Sequence, residues 1–124
     1  MLESDIKVDV AVTYLDQQSI PDQNHYLFAY TVTIKNKSEE TASLITSHWQ
    51  LTDGNGQITC MAGAGVVGKQ PSLKKNEQFT YTSSAVLDTA VGAMQGSYGF
   101  LTQSGKLFDV TVPPFGLAKP GSLN

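Results

Sequence analysis

There is no arginine among the 124 residues; all eight basic side chains are lysines. Arginine supplies the planar fork that grips phosphate, carboxylate or guanine at two points. Tight recognition of such groups therefore lacks its usual instrument. Eleven acidic residues bring the formal net charge to −3, whereas nucleic-acid binders ordinarily carry a basic field. No nucleic-acid partner is expected. A single cysteine, Cys60, excludes an internal disulfide and a cysteine-rich zinc site, and it suits a reducing compartment. No apolar run approaches the roughly 20 residues of a membrane span. The opening MLESDIKVDV turns polar at once, unlike a secretory leader. The expected location is the cytoplasm, with no membrane partner.

Charged residues are sparse at 15%, against 40% hydrophobic. That composition describes an ordinary globular chain, and the length suits one domain over 1–124. A chain this long can bury about two-thirds of its unfolded surface without staples.

Period-two alternation dominates, the mark of half-buried strands. In IKVDVAVTY, Ile6, Val8, Val10 and Val12 share one face. In HYLFAYTVTIK, Tyr26, Phe28, Tyr30, Val32 and Ile34 do so. In ASLITSHWQLTD, Ile45, Trp49 and Leu51 share a parity, which makes Trp49 a core anchor and sends His48 to the opposite face with Leu44, Thr46 and Gln50. DGNG at Asp53 to Gly56 signals a tight hairpin. In the returning QITCMA, Cys60 alternates as a small buried hydrophobe. KQPSLKKNEQ reads as loop and FTYTSS as strand, with AVLDTAVGAMQG ambiguous between strand and turn. SYGFLTQ and KLFDVTV form a last hairpin, with Phe108, Val110 and Val112 inward. Pro113 and Pro114 cannot donate to a ladder, so 113–124 reads as a Pro/Gly-rich tail. No segment shows an amphipathic helical pattern. Seven to eight short antiparallel strands predict an all-β sandwich, immunoglobulin-like or fibronectin type III-like, with a barrel as the alternative.

Residues Gly63 to Gly68, GAGVVG, spell G-x-G-x-x-G. In dinucleotide-binding enzymes that pattern ends a strand and opens a helix whose N-terminus faces pyrophosphate. Here Lys69, Gln70 and Pro71 follow, then turn and strand signals, and the helix is missing. Two readings stay open. The glycines serve backbone geometry where the chain crosses between sheets. Otherwise, backbone N–H groups around Gly63, Gly65, Gly68 and Lys69 form a nest for a small phosphate ligand.

Other chemistry is thin. His25 and His48 lie on different strands, with no metal-ligand spacing between them. No serine sits in a nucleophile elbow, and the carboxylates are scattered, so neither a catalytic residue nor a cofactor is expected. Tyr14, Tyr26, Tyr30, Tyr81 and Tyr98 are either core residues or an exposed patch for a protein partner. An open edge strand would also offer a route to a homo-oligomer.

The stretches YLDQQSIPDQNHYLFAYTVTIKN, SHWQLTDGNG, GAGVVGKQPSL, FTYTSS, GAMQGSY and FDVTVPPFGLAKP resemble, in order and over nearly the whole chain, the ApaG (CorD) family. The resemblance implies a fibronectin type III-like sandwich. It also implies a small cytoplasmic bacterial protein linked to cobalt resistance and magnesium efflux, related to interaction modules of larger proteins, with no catalytic residues to carry over. The family's glycines map to Gly63, Gly65 and Gly68. Two arginines common in the family are replaced by His25 and Ser47, which removes support for a phosphate site. The family's Pro-Gly turn is Lys75-Asn76 here, a change that asparagine's tolerance of left-handed geometry should absorb.

Overall fold

The computed structural model describes residues 5–122. Eight strands follow one another: β1 Ile6–Tyr14, β2 Tyr26–Asn36, β3 Ala42–Asp53, β4 Ile58–Ala64, β5 Ser72–Leu73, β6 Gln78–Leu87, β7 Val91–Thr102 and β8 Leu107–Ala118. A 3-10 turn, Pro21–Gln23, interrupts the first connection. All pairing is antiparallel. One sheet has the order β1-β2-β6; the other runs β4-β3-β7-β8, with the two-residue β5 extending the β4 edge of β3. This is the expected all-β sandwich, in the fibronectin type III order.

The alternating residues meet between the sheets as the period predicts. Phe28, Val32 and Ile34 of β2 are wholly buried, as are Met94, Tyr98 and Phe100 of β7. Trp49 fills the centre. Its ring meets Tyr98 edge-on at 5.8 Å and Phe115 at 5.9 Å, and lies 5.7 Å from Tyr30. Such arrangements suit the ring quadrupole better than face-to-face stacking. Opposite Trp49 in the ladder sits Gly96.

Two readings of the alternation change. Leu44, not Ile45, is wholly buried near the start of β3, as is Ala42. A bulge between Leu44 and Thr46 inserts one residue against β7, and an inserted residue exchanges the faces on either side of it. The stretch read as a tail is strand as far as Ala118. The prolines do disturb it, since the β7–β8 register slips between Met94 and Gly96. Pairing then resumes at Met94–Phe115 and continues to Val91–Ala118. The bulge absorbs the missing donors, so Phe115 and Leu117 still reach the core.

Asn36, wholly buried at the end of β2, anchors the crossover between sheets. Its Nδ2 donates to the carbonyls of Glu40 (2.9 Å) and Leu73 (2.8 Å). Its Oδ1 accepts from the Ser38 amide (2.9 Å) and hydroxyl (2.7 Å). Asn76 adopts φ 66°, the left-handed turn expected of it.

The hydroxyls of Tyr81 and Tyr98 join across the core at 2.5 Å. Burial pushes both phenols above the ordinary tyrosine range, and at Tyr98 the repulsion of an ionised Tyr81 adds to it. The unfolded chain sheds these protons near pH 10 while the folded chain retains them. Stability from this pair is therefore complete below pH 10 and declines as pH rises beyond it. Urea midpoints between pH 8 and 11.5 should fall above pH 10, with a shallower fall in the double variant Tyr81→Phe, Tyr98→Phe.

Candidate functional site

The glycine stretch is an excursion of the sheet edge. Gly63 is the penultimate residue of β4, opposite Ser47, and Ala64 closes the strand opposite Thr46. The Gly65 amide donates to the Ile45 carbonyl at 2.8 Å, at the β3 bulge. Val66 and Lys69 then exchange two backbone bonds of 2.8 Å each, enclosing Val67 and Gly68. Both enclosed residues have positive φ, 44° and 76°, which makes the loop a two-residue turn of the primed type. The chain rejoins β3 where the Leu44 amide donates to the Pro71 carbonyl. Ser47 Oγ donates to the Gly65 carbonyl at 2.7 Å and Gln70 Nε2 to the Ile45 carbonyl at 3.0 Å, pinning both ends.

Gly65 has a geometric reason to be glycine. Its φ is 73°, and a Cβ there would fall 2.0 Å from the Lys69 carbonyl oxygen. The Gly65 amide is committed to the Ile45 carbonyl of β3, and those of Val66 and Lys69 to each other's carbonyls within the turn. Those of Val67 and Gly68 lie at the tip.

Val67 is out of place by local rules. Left-handed backbone is unfavourable for a β-branched residue, yet Val67 adopts it with 56% of its surface exposed. Valine at that position costs about 1 kcal/mol or more. The Asn-Gly pair suits this turn best. Val67→Asn should therefore raise stability by about 1 kcal/mol, read as a higher urea midpoint at unchanged slope.

Two concavities flank β4. On the inner side, a cleft of about 250 Å³ opens between β4 and β6, lined by Tyr30, Trp49, Met61, Val66, Tyr81 and Ser83. On the outer face of the larger sheet lies a shallow apolar groove of about 480 Å³. His48, Gln50, Cys60, Ala62, Thr111 and Pro114 contribute to it.

Cys60 is exposed, not buried. It pairs with Gln50 in the ladder, on the outer sheet face that no second layer covers. Alternation places a residue on a face without saying whether that face is covered. His48 lies on the face opposite that of Trp49, as expected, and pairs with Ala62. Of the tyrosines, Tyr30, Tyr81 and Tyr98 are core, and Tyr14 and Tyr26 pack half-buried against it. Among the described residues, no three His, Cys, Asp or Glu side chains cluster as metal ligands, and no helix is long and apolar enough to cross a membrane.

A family model described as the ApaG domain matches residues 16–102. Protein ApaG of Shewanella sp. strain MR-7 is 49% identical over 123 residues, 99% of this chain and 98% of the relative. Protein ApaG of Shewanella baltica strain OS155 is 47% identical over the same shares. The crystal structure of a Bordetella pertussis protein assigned as ApaA superposes with a TM-score of 0.93 at 42% identity, covering 95% of this chain and 96% of that one.

Proposed function

This chain belongs to the ApaG domain family, and on that premise we propose that it is a non-enzymatic protein-interaction module, acting in the cytoplasm and supporting cobalt and magnesium homeostasis indirectly. The observation that carries the reading is the apolar outer-face groove, framed by His48, Cys60 and Thr111. It is shallow, uncharged and laid over regular strands, the character of a docking surface more than of a reaction chamber. The exposed, left-handed Val67 supports it from the neighbouring turn, because strain retained at an exposed apolar tip is a hint of contact. The cation link rests on the family resemblance alone, and an indirect role fits the described residues, which hold no cluster of three His, Cys, Asp or Glu side chains to ligate a hard cation.

The test is capture from a bacterial lysate with the wild-type chain and with Thr111→Glu, whose charge enters the groove without touching the core. A specific protein retained by the wild type and lost with the variant is the expected outcome. Equal recovery by both sinks the groove reading.

A phosphate ligand at Gly63, Gly65, Gly68 and Lys69 is the second reading, favoured by the amides of Val67 and Gly68 at the tip. Two amides and one lysine make a weak cradle beside a complete nest. Calorimetry with pyrophosphate and with ATP, each with and without Mg²⁺, decides it; no heat at millimolar ligand removes the idea.

A further inference from the structure

Each sheet edge presents unpaired backbone donors and acceptors, and proteins guard such edges with charge, proline or bulges. β1 carries Lys7 and Asp9. β8 carries Pro113 and Pro114 and a register slip. β6 has no charge, proline or bulge, but its outer-face row is polar over most of its length, with Thr82 and Thr80 bonded to Thr31 and Thr33 of β2. β4 has neither these guards nor a polar row, since Ile58, Cys60, Ala62 and Ala64 form its outer face. Every one of its residues is exposed, Ile58 at 56% and Met61 at 40%. From Gln57 to Gly68 there is no charged residue, in a chain with nineteen.

We propose that β4 pairs antiparallel with β4 of a second copy of this chain about a two-fold axis through Met61. The backbone bonds at its ends, Asp53 to Gln57 and Gly65 to Ile45, fix which residues point where. Odd-numbered residues of β4 bond to β3. Ile58, Cys60, Ala62 and Ala64 therefore turn their amides and carbonyls outward.

The occupant follows from the strand's own sequence. Antiparallel to itself and centred on Met61, ITCMAGA sets Ile58 against Ala64, Thr59 against Gly63 and Cys60 against Ala62. Apart from Met61, which meets its own copy, each larger side chain faces a small one, and no like charges meet. The two Met61 side chains lie opposite each other on the inner face, where they would cover the cleft edged by Tyr81 and Val66. Such an interface is isologous and closes at two copies. A seven-residue strand pair lies below the roughly 1,200 Å² of a standard interface, so the pairing is weak and concentration-dependent. The inference goes beyond the partner-binding reading and stands without it, because its test needs no other protein.

Sedimentation velocity from about 10 µM to about 1 mM spans the weak affinities a small interface allows. The wild type should move from 13.3 kDa toward twice that mass. Ala62→Pro removes an outward donor and leaves the β3 ladder intact, the position where an edge strand tolerates proline. It should melt cooperatively and stay monomeric. Register is read separately with Met61→Cys on a Cys60→Ser background. Residues at such a non-hydrogen-bonded site lie about 4.5 Å apart at Cα, within disulfide reach, so mild oxidation should give a covalent dimer. Thr59→Cys on the same background should not. A wild type that remains at 13.3 kDa throughout overturns the proposal. So does a dimer unaffected by Ala62→Pro, or one that Thr59→Cys cross-links better than Met61→Cys.

Discussion

Asn36→Ala should destabilise the protein by about 3 kcal/mol, although it removes only a small polar side chain. The amide is wholly buried and fully used. Truncation leaves the carbonyls of Leu73 and Glu40 without this donor and the Ser38 amide without its acceptor. A buried polar group left unsatisfied costs about 1–3 kcal/mol, and the vacated space lets water offset part of the total. The Leu73 bond also ties β2 of one sheet to β5 of the other, so the loss falls on the joint between layers. Thermal and urea unfolding of the variant checks the magnitude; a deficit under 1 kcal/mol would show that the network is dispensable. Asn36→Asp separates hydrogen bonding from packing. Its carboxylate would face two carbonyl oxygens, so the folded state favours the protonated acid and raises its pKa above the unfolded value near 4. The unfolded chain loses its proton first as pH rises, and the deficit of this variant should grow from about pH 4 upward.

Gly96→Ala should be nearly as damaging, by about 3 kcal/mol, for a single added methyl group. A Cβ at Gly96 would lie 2.3 Å from the His48 carbonyl oxygen and 2.8 Å from Cε3 of the Trp49 ring. Neither neighbour is free to yield. The carbonyl belongs to the central strand β3, and the ring is held by Tyr98 and Phe115. Overpacking ordinarily costs about 1–3 kcal/mol, and a rigid backbone neighbour puts this site at the upper end. Gly116→Ala, one strand over, is the control, since a Cβ there meets nothing within 4 Å. Urea midpoints of the two variants should differ by most of the predicted amount. Equal midpoints would mean that Trp49 can shift without loss.

The alternation of β2 and β8 and the core position of Trp49 were legible in the sequence because period two maps directly onto two sheet faces. The bulge at Ile45 was not. It depends on where the Gly65 turn meets β3, a long-range event without a local signal. The exposure of Cys60 was hidden for a related reason: its neighbours alternate correctly, but the outer face of β4 has no layer above it. Asn36 continues the apolar face of β2, and its role became visible only when the carbonyls of Glu40 and Leu73 arrived from other segments. The glycine stretch could be separated from a nucleotide fingerprint by the missing helix. That Gly65 is dictated by the Lys69 carbonyl needed coordinates.

The topology has a consequence in time. Neither sheet can be completed by neighbours along the chain: Tyr26 must find Leu87, and Ala42 must find Thr102. Closing such distant pairs places a fold among those that form in milliseconds to seconds rather than microseconds. The β3–β4 hairpin, by contrast, needs only the Asp53–Gly56 turn and can form early. Throughout that delay the uncharged β4 edge is displayed before β6 and the core residues behind it are in place. The same strand that suits pairing in the native state is thus where newly made chains would adhere to one another, and a lysine placed on β4 should raise the yield of refolding at high protein concentration.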